Sequence, residues 1–301
     1  MMDAATQGLI KKITEVEDEG RNLLIQEQLD KLINSDEFQE KFAAKKARLA
    51  ITDHRQEILD LVRDNRVVII CGTTGCGKTT HVAQFLMDQD IRESRGANSR
   101  ILITQPRRIS AMSIAERIAA ERLESVGDSV GYTIRLQTKP GRHINLCTTG
   151  VLLQLFLGEP DLPNLRYLII DEIHERDLNC DFALVMIKEL LKRNPHIKAL
   201  LMSATLHSEL FFTYFDHAPV LNADGQTFPV KEYYLDTIAE LAKQRRIKSF
   251  MVTPPDDLHG REKKLAIHRS AKDFDYNLLQ MLLVHDVNEQ HLQEIVVEIF
   301  G

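Results

Sequence analysis

The sequence predicts an α/β fold: a parallel sheet with helices on both faces, preceded by a helical N-terminal extension. Three observations predict it. The apolar run Arg66-Val67-Val68-Ile69-Ile70 leads into the glycine-rich stretch Cys71 to Thr80 and then into the helical pattern His81 to Met87, which reads as strand, loop, helix. Apolar runs recur at Ile101, Ile144, Arg166 and Ile197 between helical stretches, and strands this uniformly apolar imply a sheet covered on both faces. The polar motifs fall just beyond the ends of these runs, where open parallel sheets bind ligands.

Taken in order, residues 1–50 carry apolar positions at helical spacing (Leu23, Leu24, Leu29, Leu32, Ile33, Phe38, Phe42) among many Glu, Gln and Lys, an amphipathic helical lead-in. A helix packed on the domain that follows is favoured over a partner-binding arm. Ile51 to Asn65 begins with a capping pattern and keeps helical periodicity, so one helix delivers the chain to the first strand. A helix over Thr80 to Asp88 and a charged loop (Arg92 to Arg100) precede the strand Ile101 to Thr104, and a long helix spans Ile109 to Leu123. Short strands are expected at Ser129 to Leu136 and Ile144 to Cys147, followed by a helix opening at Thr149-Gly150. Then come the strand Arg166 to Ile170, a helix over Leu178 to Lys192 and the strand Ile197 to Met202. Phe228-Pro229-Val230 and Glu232 to Leu235 suggest one more strand closing the domain. Lys243 to Arg269 holds eight basic and three acidic residues around Pro254-Pro255, either a surface crossing towards nucleic acid or a solvated linker. Asn277 to Val284 reads as a helix and Glu294 to Phe300 as a strand that has only begun. The expected division is therefore a helical extension over residues 1–50, one domain over residues 51–235, and a linker with the start of a second domain over residues 236–301.

Composition narrows the class. With 301 residues and 44% apolar content the chain can fill a sizeable core, as two domains or as one with extensions. No apolar run approaches the ~20 residues that a bilayer span needs, and Met1-Met2-Asp3-Ala4 lacks the layout of a signal peptide. We expect a soluble intracellular protein. Cys71, Cys76, Cys147 and Cys180 have no metal-ligand spacing and read as reduced thiols, with no zinc. A net charge of -6 decides nothing about nucleic acid, because a groove can be basic on an acidic protein.

The chemistry is concentrated in two stretches. Gly72 to Thr79 fits G-x-x-x-x-G-K-[ST], the phosphate-binding loop, in the strand and helix context that motif needs. Gly72, Gly75 and Gly77 let the backbone of Gly72-Thr73-Thr74-Gly75-Cys76-Gly77-Lys78-Thr79-Thr80 wrap closely and aim N–H groups at a polyphosphate. Lys78 would reach the β- and γ-phosphates of ATP, and the Thr79 hydroxyl would ligate Mg²⁺. Asp171-Glu172-Ile173-His174 directly follows a buried strand about ninety residues beyond Lys78. There Asp171 would hold Mg²⁺ opposite Thr79, Glu172 would take a proton from the attacking water, and His174 would bond to a group that senses the γ-phosphate. The bland alternatives are a glycine-rich turn and a helix N-terminus with stabilising acids.

Seven runs together resemble one family. Gly72 to Thr80, Thr104-Gln105-Pro106-Arg107-Arg108, Gly131 to Arg135, Thr148-Thr149-Gly150, Asp171 to Arg176, Ser203-Ala204-Thr205 and Phe228-Pro229-Val230 occur in the order and spacing of the DEAH/RHA group of superfamily 2 helicases. Ile173 makes the box DEIH, which looks more like the RNA helicase A branch, quadruplex-resolving helicases included, than the splicing DEAH proteins. The resemblance covers roughly residues 50 to 235. It implies a RecA-like phosphate-loop NTPase domain and an ATP-dependent RNA helicase moving 3′-to-5′ in full-length form, with ATP and Mg²⁺ as cofactors and RNA as partner, DNA being the alternative polymer. It further implies that Arg107, Arg108, Thr148 and Thr149 touch the nucleic-acid backbone, contacts that position a strand without reading it. Arg108 paired with an acid inside the domain is the alternative. The family's base-stacking arginine maps to Arg117, which would make the enzyme tolerant of different NTPs. Ser203 and Thr205 resemble the motif coupling nucleotide state to strand movement, although as bare residues they could cap a helix starting near Ser208. The location implied is cytoplasm, nucleus or both.

The sequence departs from the family in one respect: it contains no Gln-x-x-Gly-Arg-x-Gly-Arg run, the second-domain motif whose arginines reach the γ-phosphate. Gly301 falls where that domain's first strand would begin, so the expectation is a truncated motor, weak or inactive alone. A non-catalytic nucleotide- and RNA-binding module is the competing reading. A phosphate-loop ATPase unrelated to nucleic acid, such as a transporter motor, has no use for the Thr-Gln-Pro-Arg-Arg and Ser-Ala-Thr runs.

Overall fold

The computed structural model describes residues 6–10, 19–204 and 209–223. The chain divides into the units Met1–Thr227 and Phe228–Gly301, and the described residues lie in the first. The strands expected at residues 228–235 and 294–300, the basic stretch 243–269, the helix 277–284 and Thr205 lie outside the described residues.

The apolar runs pair into one sheet of eight strands: β1 (Val67–Cys71), β2 (Ile101–Gln105), β3 (Val130–Ile134), β4 (Gln137–Lys139), β5 (Ile144–Thr148), β6 (Tyr167–Ile170), β7 (Lys198–Ser203) and β8 (Val220–Asn222). Their order is β4-β3-β5-β2-β6-β7-β1-β8. Every pairing is parallel except that of β3 with β4. Side chains alternate between faces, and both faces are covered. Val68, Ile70, Ile103, Ile169, Leu200 and Met202 enter one core. Ile69, Cys71, Leu102, Leu168, Ile170 and Leu201 enter the other. Burial on both sides is why these strands read as continuous apolar runs rather than alternating ones.

Helices α1 (Asn22–Ile33), α2 (Arg55–Asp64), α3 (Lys78–Arg92) and α4 (Arg108–Glu121) contribute to the first core. Helices α5 (Thr149–Gly158), α6 (Leu178–Arg193) and α7 (Glu209–Tyr214), with Leu9, contribute to the second. This is a RecA-like arrangement, a mostly parallel sheet between two helical layers. Helix α6 starts at Leu178 because the Asp177 carboxylate accepts from the N–H groups of Asn179 at 2.8 Å and Cys180 at 3.1 Å. Among the described residues, no helix is long and apolar enough to cross a membrane. All four cysteines are buried free thiols.

The N-terminal extension packs on the domain through part of the expected set, Leu29, Leu32 and Ile33, joined by Ile25. Leu23 and Leu24 are exposed, whereas Ile25 and Leu29 are buried in the first core. Burying two such side chains is worth about 1.5–3 kcal/mol each. The single helix expected over Ile51 to Asn65 is broken. A short turn, Ala50–Asp53, ends at His54 before α2 begins, and no side chain caps α2. Thr52 instead spends its hydroxyl on the Lys46 carbonyl at 2.7 Å.

Candidate active site

The phosphate-loop residues leave β1 at Gly72 and enter α3 at Lys78. Gly72 donates its N–H to the Ser203 carbonyl on β7 at 3.1 Å, and a Cβ there would stand 2.5 Å from the Ala223 carbonyl. Gly77 has φ +98, and a Cβ on it would press on Ile51 and Leu49 at 3.0 and 3.1 Å. Glycine is therefore required at both ends of the loop. The Ile51 N–H donates to the Cys76 carbonyl at 3.2 Å, which fastens the segment before α2 to the back of the loop. Lys78 is buried, and its ammonium donates to the carbonyls of Gly72 and Thr73. Thr74 and Gly75 are exposed on the outer rim of the loop. The Thr80 hydroxyl lies 3.3 Å from the Gly77 carbonyl, to which it donates, and 2.7 Å from His81 Nδ1.

Beyond β6, Asp171 meets this loop. The Thr79 hydroxyl donates to Asp171 Oδ2 at 2.6 Å across 92 positions of sequence. Gln105, from the end of β2, donates its amide to the same oxygen at 2.6 Å, and the Glu172 N–H donates to Oδ1 at 2.9 Å. Asp171 is buried, and burial pushes its carboxyl above the usual range against these hydrogen bonds and the charge of Lys78. Glu172 occupies the left-handed region at φ 57, ψ 37, a conformation uncommon for a non-glycine residue. Partial burial, then the charge of Asp171, raise its pKa. His174 Nδ1 accepts from the Ala204 N–H at 3.2 Å and lies 3.4 Å from Glu172 Oε2. Acceptance at Nδ1 puts the proton of a neutral ring on Nε2.

The loop and the acidic turn fit an anionic ligand and a hard cation. Among the described residues, the N–H groups of Gly77, Lys78 and Thr79 at the start of α3 have no protein acceptor, as expected of a helix N-terminus. A neutral hydroxyl and a carboxylate oxygen meeting at 2.6 Å are both hard oxygen donors of the kind Mg²⁺ takes.

The remaining candidates lie at the carboxyl ends of β2, β5 and β7 and on α4. Arg107 and Arg108 are both exposed. The acid pairing considered for Arg108 occurs at Arg107, whose guanidinium donates to Glu175 at 3.0 Å. Among the described residues Arg108 has no ion pair. Thr148 is half-buried at the end of β5, and Thr149 is buried in the first turn of α5. Arg117 is 54% exposed and donates from Nε to Glu121 at 2.7 Å. Ser203 closes β7. Sequence reasoning singled out none of Gln105 as a partner of Asp171, Glu175 as a partner of Arg107, or Glu121. The three share only tertiary proximity to residues that carry motifs.

The sequence matches the family described as DEAD/DEAH box helicase over residues 52–211. It is 40% identical over 296 residues to RNA editing associated helicase 2 of Trypanosoma brucei brucei, covering 92% of this chain and 13% of that protein. It is 46% identical over 208 residues to DExH-box ATP-dependent RNA helicase DExH1 of Arabidopsis thaliana, covering 68% of this chain and 20% of the relative. To ATP-dependent DNA/RNA helicase DHX36 of Bos taurus it is 47% identical over 191 residues, covering 62% and 19%. The chain thus spans no more than a fifth of the length of these curated relatives.

Proposed function

The chain belongs to the DEAD/DEAH box helicase family, and from that premise we propose that residues 51–235 form the nucleotide-binding half of an ATP-dependent RNA helicase. The observation that carries this reading is the 2.6 Å contact between the Thr79 hydroxyl and Asp171 beside Lys78 and Glu172. In the reading, Lys78 leaves the loop carbonyls for the β- and γ-phosphates, and Thr79 and Asp171 hold Mg²⁺. The metal, when bound, supplies charge neutralisation on the phosphate oxygens. Glu172 accepts the proton of the attacking water, a role supported by its raised pKa and by the left-handed turn that aims it. His174, held at Nδ1 by the Ala204 N–H, bonds to a group that senses the γ-phosphate.

Arg107, Arg108, Thr148 and Thr149 contact the backbone of single-stranded RNA at the carboxyl edge of the sheet, with Ser203 and Thr205 coupling nucleotide state to strand movement. Burial of Thr149 favours a backbone rather than a hydroxyl contact there. In the full-length protein hydrolysis drives 3′-to-5′ movement and unwinding, inside the cell in cytoplasm, nucleus or both. The name of the Bos taurus relative includes DNA, so both polymers belong in the assay. The 301 residues contain no Gln-x-x-Gly-Arg-x-Gly-Arg run. We therefore propose that this stretch alone binds nucleotide and RNA but hydrolyses slowly, since losing an arginine finger costs about 10³ to 10⁵ in turnover.

The test is ATP binding and RNA-stimulated hydrolysis by the 301-residue chain, with Lys78→Ala and Glu172→Gln as controls. Lys78→Ala should abolish ATP binding without unfolding the domain; retained affinity would remove the phosphate-loop assignment. Robust turnover that survives Glu172→Gln would remove the assignment of the base.

A further inference from the structure

Behind the phosphate loop lies a buried carboxylate that the reading above does not use. Glu121, in the last turn of α4, is 1% exposed. Its Oε1 accepts from Arg117 Nε at 2.7 Å. Its Oε2 accepts from Gln84 on α3 at 2.8 Å and lies 3.5 Å from Lys46 Nζ, which in turn donates to Gln84 Oε1 at 2.9 Å. His81 Nε2 stands 3.8 Å from the same oxygen. Four side chains from three parts of the fold converge on one carboxylate: the N-terminal extension, the phosphate-loop helix, and the helix carrying Arg117.

Local energetics do not favour this placement. An acid in the last turn of a helix faces the negative end of the dipole, and an arginine four positions before an acid is the weaker orientation of an i,i+4 pair. A buried charge network of this kind is often no more stable than apolar residues filling the same volume. It does, however, fix geometry. Glu121 engages Arg117 at Nε, and among the described residues the guanidinium face and both terminal nitrogens have no partner while the side chain is 54% exposed. The segment holding Lys46 is itself anchored. Leu49 and Ile51 lean on Gly77, and Thr52 bonds the Lys46 carbonyl at 2.7 Å. Burial keeps His81 neutral, its pKa lowered to about 4, so Lys46 and Arg117 supply the cluster's positive charge.

We propose that Glu121 is the positioning residue for Arg117 on the base side of the nucleotide site, and that Lys46 makes the N-terminal extension part of that side. This rests on the reading of Arg117 as the residue that stacks on the base. A tethered arginine loses less rotamer freedom when the base arrives, so releasing it weakens affinity for the nucleoside and not for the phosphates.

The experiment compares two ligands on the 301-residue chain by titration calorimetry: Mg²⁺·ATP, and Mg²⁺·tripolyphosphate, which has phosphates and no base. Glu121→Gln keeps the shape and removes the charge, and Lys46→Met keeps the packing stem. Both should bind ATP about three- to tenfold more weakly with tripolyphosphate unchanged. Adding Glu121→Gln to Arg117→Ala should weaken ATP no further than Arg117→Ala alone. Equal losses for both ligands, or additive losses in the double variant, would overturn the proposal, because Glu121 would then be supporting the fold. Circular dichroism guards against unfolding of Glu121→Gln, and Lys46, at the rim of the cluster, supplies the second, milder variant. A wild-type chain that binds tripolyphosphate as tightly as ATP removes the base-side role of Arg117. One that binds neither removes the nucleotide reading, and the proposal falls with it.

Discussion

Replacing Asp171 separates holding the fold from holding the metal. Asp171 accepts three hydrogen bonds, from Thr79, Gln105 and the Glu172 N–H. In Asp171→Ala the Gln105 amide, only 2% exposed, is left without an acceptor, which costs about 1–3 kcal/mol. Loss of the Thr79 bond adds about 1 kcal/mol, since that half-buried hydroxyl can turn to water. The sum, about 2–4 kcal/mol, corresponds to a melting temperature lower by roughly 4–16 °C for a domain of this size. Asp171→Asn behaves differently. If its oxygen replaces Oδ2, it goes on accepting from the Thr79 hydroxyl and the Gln105 amide, and only the half-buried Glu172 N–H loses its acceptor. The buried Gln105 amide stays satisfied, a buried carboxyl already raised by burial is gone, and stability should stay within about 1 kcal/mol of wild type. The anionic metal ligand is lost all the same, so the Mg²⁺ dependence of nucleotide affinity should disappear in both variants. Thermal melts and fluorescent-nucleotide titrations with and without Mg²⁺ measure the two effects. If Asp171→Asn melts as early as Asp171→Ala, the hydrogen-bond argument is wrong; if it keeps full Mg²⁺ dependence, Asp171 is not the metal ligand.

Gly77→Ala forces a Cβ into a φ of +98 against Ile51 and Leu49, and should cost roughly 1–2 kcal/mol, read as a lower urea midpoint at unchanged slope. Arg107→Ala with Arg108→Ala should weaken single-stranded RNA binding regardless of sequence and reduce the salt slope by about 1.4, at ~0.7 per phosphate contact. Glu175→Gln, which frees Arg107, should strengthen that binding, and an unaltered slope in the double variant would make the arginines structural. His143 is predicted to make stability pH-dependent. Burial, then the charge of Arg100, lower its pKa to about 3, so between there and its ordinary value near 6.5 the unfolded chain binds a proton that the native protein does not. Stability from this residue is present above pH ~6.5 and drains as pH falls, by up to about 1.4 kcal/mol per pH unit. Buried Asp90 and Asp171, with raised pKa values, act with the opposite sign but in both proteins alike. His143→Gln should therefore flatten the stability slope between pH 4 and 6, and an unchanged slope would refute the assignment.

The central strands were legible because burial on both faces makes them apolar without interruption, as in Val68 to Ile70 or Leu168 to Ile170. Strand β4 was not, since Gln137, Thr138 and Lys139 are all exposed and are strand only by pairing with Tyr132 to Ile134. Strand β8 is three residues whose identity comes from the free edge of β1. Helical spacing around residues 22–33 announced a helix but not its face: Leu23 and Leu24 are as apolar as Ile25 and Leu29, and only the partner helices decide which are covered. At the site, motif letters pointed to Thr79 and Asp171 together. They could not point to Gln105 as the third member, because its role depends on β2 lying beside β6. Glu121 and Lys46 were invisible for the same reason, at 75 positions apart with no pattern linking them.

The strand order supports the coupling role proposed for Ser203. β7 lies between β1 and β6, so the phosphate loop and the Asp171 turn leave strands separated by two spacings, about 10 Å. Helix α3 bridges part of that gap by presenting Thr79 to Asp171. The end of β7 bridges the rest from below. Its Ser203 carbonyl receives the Gly72 N–H on one side, and the next residue, Ala204, gives its N–H to His174 on the other. A displacement of Gly72 therefore pulls on the strand whose continuation holds His174. On the β7 side the connection uses only the main chain of Ser203 and Ala204, which side-chain substitution at Ser203 leaves in place. Substitutions there should accordingly alter what lies downstream of β7 more than nucleotide affinity itself, whereas removal of the His174 ring breaks the only contact in this chain of bonds that a side chain makes.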